Sequence, residues 1–165
     1  MKATDLMIND WVEFTSKYGY GKGQVAGIEP REGSVEPSTF TIVKFRDDGT
    51  THLFVGVSRN SVRPIPLTKE ILKKNGFEEV YFDEKGKKCS NGDKTDIYEC
   101  YDGEIRIEVG MYDPMFFNIG YEVHTPEGID EGNISSIAHI NGEPFNIHDL
   151  QHVLRLHGIE KEIVL

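Results

Sequence analysis

Glycine and proline divide the first 66 residues into runs too short for helices. Five apolar runs, Trp11 to Phe14, Gln24 to Ile28, Phe40 to Phe45, His52 to Val57 and Val62 to Ile65, are separated by Gly19, Gly21, Gly23, Pro30, Gly33, Pro37 and Gly49. Both residue types interrupt helices and bound strands, so this part of the chain is restricted to β-structure. Thr41-Ile42-Val43-Lys44-Phe45 alternates in the way a half-buried strand requires, and Asp47-Asp48-Gly49 marks the turn into the next run. Five short strands in so small a segment predict an SH3-like β-barrel over residues 1–66, because closing a small sheet removes its exposed edges. A two-layer antiparallel sheet is the alternative.

Pro64-Ile65-Pro66 stiffens the chain and removes backbone donors, as a joint between units does. Residues 67–165 are predicted to form a second, α+β domain, which makes the whole chain mainly β with two short helices. The first helix is capped by Thr68, stapled by Leu67 and Leu72 and ended by Gly76. A strand follows at Glu79 to Phe82, then a polar loop, Asp83 to Asp93, whose acids do not follow calcium-loop spacing. Next comes the clearest hairpin, Ile97 to Tyr101 and Glu104 to Val109 around Asp102-Gly103. A two-residue turn there pairs Cys100 with Ile105, Tyr98 with Ile107 and Glu99 with Arg106, which buries an inert Cys100 thiol. Phe116 to His124 and Ile134 to Ile140 supply two more strands around an acidic loop, Thr125 to Asn133, and Glu162 to Leu165 is a candidate edge strand.

The segment Phe145-Asn146-Ile147-His148-Asp149-Leu150-Gln151-His152 admits two readings. A helix carrying His-Glu-x-x-His binds zinc through two imidazoles four residues apart, with the Glu as general base. Here Asp149 holds the Glu position with a side chain one methylene shorter, and His157 is turned about 500° past His152 around the helix. A further ligand would have to come through the fold from His52, His124, His139 or an acidic residue. Helix capping explains more of the residues. Asn146 is the N-cap, Asp149 the N3 acid, Phe145 and Leu150 the staple, and Gly158 with Ile159 the C-terminal stop. Ile147, Leu150, Val153 and Leu154 then form the apolar stripe that packs on the sheet. No metal or cofactor is therefore assigned.

Charge separates the two parts. The formal net charge is -10; residues 1–66 carry eight Lys/Arg and eight Asp/Glu, so all of the excess lies in residues 67–165. The acidic part repels phosphate backbones, which disfavours nucleic acid as a partner except through the neutral first part. Hydrophobic content of 38%, with nine Phe and seven Tyr, excludes wholesale disorder. Cys89 and Cys100 match no metal or redox spacing, which suits a reducing cytoplasm. No segment has the length of a membrane-spanning helix, and the start has no apolar run of signal-peptide length.

No nucleophile motif such as Gly-x-Ser-x-Gly occurs, and Ser58, Ser135 and Ser136 lack diagnostic context, so no catalytic residue is assigned. Tyr18-Gly19-Tyr20-Gly21-Lys22-Gly23 lacks P-loop spacing and leads into a strand-like run where a P-loop would enter a helix. As a binding surface it is more informative. Exposed tyrosines beside a lysine suit a peptide or a stacked base, and Tyr18, Tyr20, Lys22 and Arg46 are the candidate binding residues, with Lys44, Arg59 and Arg63 as possible extensions.

Three groups of residues carry a family resemblance. They are Met1-Lys2-Ala3-Thr4-Asp5-Leu6-Met7 with Asp10-Trp11-Val12, Pro64-Ile65-Pro66-Leu67-Thr68 with Glu70-Ile71-Leu72 and Asn75-Gly76-Phe77, and the His148 to His152 segment running into Leu154-Arg155-Leu156 and Gly158-Ile159. Together they resemble a family of proteins encoded by gut anaerobes, their phages and their mobile elements. In that family Glu commonly stands where this chain has Asp149, a departure that keeps the capping acid and weakens a general base. The resemblance implies the two-part layout and a phage or mobile-element setting, and no particular activity. Together these readings favour a protein-binding adaptor over a nucleic-acid binder and over a zinc hydrolase using His148 and His152.

Overall fold

The computed structural model describes residues 6–30, 37–84, 88–89, 92–112, 115–138 and 145–165. The chain divides into two units. One consists of Met1–Pro66 with Asn146–Gln151, the other of Leu67–Phe145 with His152–Leu165.

The first unit holds Trp11–Ser16 (β1), Gly19–Pro30 (β2), Pro37–Phe45 (β3), Thr51–Ser58 (β4) and Val62–Pro64 (β5), with a 3₁₀ turn at Arg59–Ser61 between the last two. They form an antiparallel sheet in the order β4-β3-β2-β1-β5. Strand alternation sends Val12, Phe14, Val25, Phe40, Ile42, Phe54 and Val62 to one face, a bulge with Gly56 at positive φ (70°) brings Val57 to the same face, and together with Leu6 they form the core. Among the described residues the closed barrel expected over residues 1–66 is not found, because β4 and β5 end the order and do not pair with each other. At three residues ending in Pro64, β5 has few donors left for a second neighbour. Residues from the far end of the chain complete this unit. The buried Gln151 accepts from the Trp11 amide (3.0 Å) and donates to the Asn9 carbonyl (2.9 Å), and the Ile147 amide donates to the Ile65 carbonyl (2.9 Å).

The second unit begins with Lys69–Lys74 (α1), whose N-cap Thr68 accepts from the Ile71 amide at 3.3 Å. Six strands follow: Glu78–Phe82 (β6), Lys88–Cys89 (β7), Asp93–Asp102 (β8), Ile105–Gly110 (β9), Phe116–Thr125 (β10) and Gly128–Ala138 (β11). Their order is β11-β10-β9-β8-β6-β7. The polar stretch from Asp83 to Asp93 thus contains β7 and the first residue of β8.

The hairpin register differs from the expected one by two residues. Asp102 pairs with Ile105, Cys100 with Ile107, Tyr98 with Val109 and Glu99 with Glu108. The loop residues are Gly103 and Glu104 rather than Asp102 and Gly103, because Gly103 takes the positive φ (62°) at the first loop position while Asp102 remains extended. A shift of two preserves the faces, so Tyr98 and Cys100 are still buried. The acidic segment expected as a loop from Thr125 to Asn133 is largely strand. Only the tight turn from Thr125 to Gly128 interrupts it, and Asp130 and Glu131 pair opposite Val123 and Glu122. Carboxylates are tolerated there because β11 is an edge strand, and Glu131 accepts from Arg106 at 2.8 Å.

Ile147–Leu156 (α2) starts with the Asp149 carboxylate accepting from the Asn146 amide (2.7 Å) and ends with the Ile159 amide returning to the Leu154 carbonyl (2.9 Å). Its residues up to Gln151 belong to the first unit and those from His152 to the second. Glu162–Leu165 forms no strand. The buried Asn75 ties it instead, accepting from the Val164 amide (2.8 Å) and donating to the Val164 carbonyl (2.9 Å). One side chain satisfies both polar groups of that residue, which removes the need for a ladder.

Candidate binding grooves of the first unit

The β1–β2 hairpin builds the site. Ser16 pairs with Gly19, leaving Lys17 and Tyr18 as the turn, and the Ser16 hydroxyl accepts from the Tyr18 amide (3.2 Å) while donating to the Gly19 carbonyl (3.0 Å). Tyr20 and Lys22 therefore lie in a strand rather than a loop. One residue past Lys22, β2 approaches β3 so closely that a Cβ at Gly23 would stand 2.6 Å from the Val43 carbonyl oxygen, which accounts for glycine there. The tyrosines are left in solvent, Tyr18 at 73% and Tyr20 at 78% exposure. Lys17 lies over the Tyr18 ring, 4.7 Å from its centroid.

Tyr20 is shared by two grooves. A groove of about 590 Å³ is lined by Tyr18, Tyr20, Lys44, Arg46, His52 and Phe54, with Asp47 and Asp48 at its rim. Lys44 donates to the Tyr20 carbonyl (3.1 Å), and the Arg46 guanidinium lies 3.4 Å from His52 Nδ1. The Asp48 carboxyl is engaged in its own turn. Hydrogen bonds from the Thr50 hydroxyl (2.6 Å) and amide (2.9 Å) hold its pKa below the ordinary aspartate value. The other groove, about 470 Å³, is lined by Glu13, Thr15, Tyr20, Lys22, Ser61 and Arg63. Cross-strand register explains its charge, since Glu13 stands opposite Lys22 on one side and Arg63 on the other.

The structure thus gathers Tyr18, Tyr20 and Arg46 in one groove and places Lys22 with Tyr20 in the adjoining one. Lys44 and Arg63 also line these grooves, and Arg59 lines neither. Sequence reasoning missed His52, Phe54 and Glu13. Pairing of His52 with Lys44 follows from the β3–β4 turn at Asp48-Gly49, so counting back from that turn would have found His52.

The histidines are dispersed. His148 is buried, with Nε2 3.4 Å from Asp149 Oδ1, and His157 Nε2 lies 2.8 Å from the Ser135 hydroxyl. His139 and the side chain of His124 lie outside the described residues. Among the described residues no three His, Cys, Asp or Glu gather as a metal site would require. Cys100 is buried, and burial pushes its thiol up to about 11; the side chain of Cys89 lies outside the described residues. No described helix is long and apolar enough to cross a membrane. Comparison with protein-family models, curated proteins and solved structures found no match.

Proposed function

We propose that the protein is a non-catalytic binding protein whose first unit holds an extended segment of a protein partner along the ridge formed by Tyr20. The observation that carries this reading is the sharing of one exposed tyrosine by two grooves, each supplied with cations. Aromatic side chains contribute much of the energy at protein interfaces because they bury large area at low entropic cost. Each groove also mixes signs, Lys44 and Arg46 with Asp47 and Asp48, Lys22 and Arg63 with Glu13. Mixed charge suits a peptide, which carries its own donors and acceptors, better than an unbroken row of phosphates. The order β4-β3-β2-β1-β5, with a 3₁₀ turn before β5, supports an SH3-like, partly open organisation of this unit. The family resemblance of the chain's ends and joint supports a phage or mobile-element setting for the partner.

The test is affinity purification from the native host after nuclease treatment, with the wild-type chain and Tyr20→Ala as parallel baits. A protein recovered at near-equal stoichiometry with the wild type and depleted at least about fivefold with Tyr20→Ala is expected, the size of a typical hot-spot loss. Equal recovery by both baits would remove Tyr20 from the site. A second reading, stacking of single-stranded bases on Tyr18 and Tyr20, is favoured by the exposure of both rings beside Lys22, Lys44 and Arg46. It requires oligonucleotide binding that falls steeply with salt and weakens in Lys22→Ala; absence of binding at low salt eliminates it.

A further inference from the structure

The sheet of the second unit buries one face and presents the other as a polar surface. On β8, Tyr98 and Cys100 point into the core, so Glu99 and Tyr101 stand on the opposite face. Register places Glu78 directly opposite Glu99 on one side and Glu108 on the other, three carboxylates in a cross-strand row. Like charges so placed disfavour one another, and the whole of the net charge of -10 lies in residues 67–165. This face therefore attracts cations.

A groove of about 350 Å³ opens beside Glu99, lined by Lys88, Glu99, Tyr101, Gly103 and Glu122. Tyr101 donates to Glu122 Oε2 (2.9 Å), which fixes the phenol, and its oxygen accepts from Lys88 Nζ (3.3 Å). The same ammonium pairs with Glu99 Oε1 and lies 5.7 Å from the centroid of the Tyr101 ring. Glu99 itself is only 9% exposed, and its second carboxylate oxygen, Oε2, is buried with no hydrogen-bond partner. A buried carboxylate oxygen without a donor is costly, and a ligand that supplies the donor recovers that cost.

We propose that this groove binds a primary alkylammonium group, which donates to Glu99 Oε2 beside Lys88. Lys88 already demonstrates the fit, since its own ammonium sits between a carboxylate and a tyrosine. With its side chain 45% exposed, Lys88 reaches Glu99 from solvent, and a second ammonium can approach from the same side. A metal ion suits the groove less well, because among the described residues no three His, Cys, Asp or Glu gather as ligands. A lysine side chain of another protein and a free polyamine both present the required N–H donors on an alkyl stem.

The experiment is a titration of the full chain with n-butylammonium, the side chain of lysine, at low ionic strength, followed by the amide chemical shifts of Glu99, Tyr101 and Gly103. Saturable shifts are expected in the wild type. Glu99→Gln, close in shape to the native residue, is expected to weaken binding at least about tenfold, the size of a hydrogen bond to a charged group. Glu160→Gln removes the same charge from an exposed position outside the groove and is expected to change little. Lys88→Ala vacates the position of the resident ammonium and is expected to bind more tightly. Amide spectra of the free variants establish that each one folds. Tetramethylammonium carries the charge without N–H groups and is expected to bind much more weakly. Absence of saturable shifts in the wild type, equal losses in Glu99→Gln and Glu160→Gln, or equal binding of tetramethylammonium overturns the proposal. Spermidine and acetyl-Gly-Lys-Gly-amide then separate the two sources, the tighter ligand marking a free polyamine or a protein lysine.

Discussion

At the scale of single residues, environment decides chemistry. Cys100 faces Ile107 across the β8–β9 ladder, and burial raises its thiol to about 11. Thiolate is the reactive form, so the native protein at pH 8 is expected to leave Cys100 unmodified by iodoacetamide and to expose it only on denaturation, read by peptide mass mapping. Fast native alkylation of this residue would contradict its placement. Its burial was legible in the sequence from alternation alone. The roles of Asn75 and Gln151 were not, because each satisfies backbone groups far along the chain, Val164 for one and Asn9 and Trp11 for the other. Nothing local in a sequence distinguishes such an amide from one on the surface.

Among the elements, the helix ends were the most legible because capping is local chemistry. Thr68 and Asp149 are placed as their spacing requires. Asp149→Ala is expected to lower the stability of the protein by about 1 kcal/mol, measured by urea unfolding, whereas Asp149→Glu retains most of it. Equal losses in both variants would point to a role for Asp149 beyond capping. Most strands were legible in place, but β7 was missed within a stretch read as loop, Glu162–Leu165 forms none, and the hairpin register was not legible. Gly103 rather than Asp102 opens the turn, and glycine's freedom at positive φ decided between two loops that the same residues allow. The acidic run from Gly128 was misjudged because composition alone does not reveal an edge position, where carboxylates face water and can pair with Arg106.

For the whole molecule, the first unit is not contiguous in sequence, since Asn146–Gln151 belongs to it. A chain ending at residue 145 lacks the two Gln151 bonds to Asn9 and Trp11 as well as the Ile147 bond to Ile65. Such a chain is expected to lose about 6–9 kcal/mol in the first unit, at about 1 kcal/mol for each of the three hydrogen bonds plus about 1.5–3 kcal/mol for each of the buried Ile147 and Leu150. Trp11 fluorescence during urea unfolding measures this, and an unchanged midpoint would mean that residues 6–66 are self-sufficient. The sequence by itself determined the short strands, the capped helices and the tyrosine-rich turn, because each depends on residues within a few positions of one another. Only the tertiary structure decided which cations share a groove with Tyr20 and that Asn146–Gln151 belongs with the first 66 residues, because these depend on register and on contacts between segments far apart in the chain.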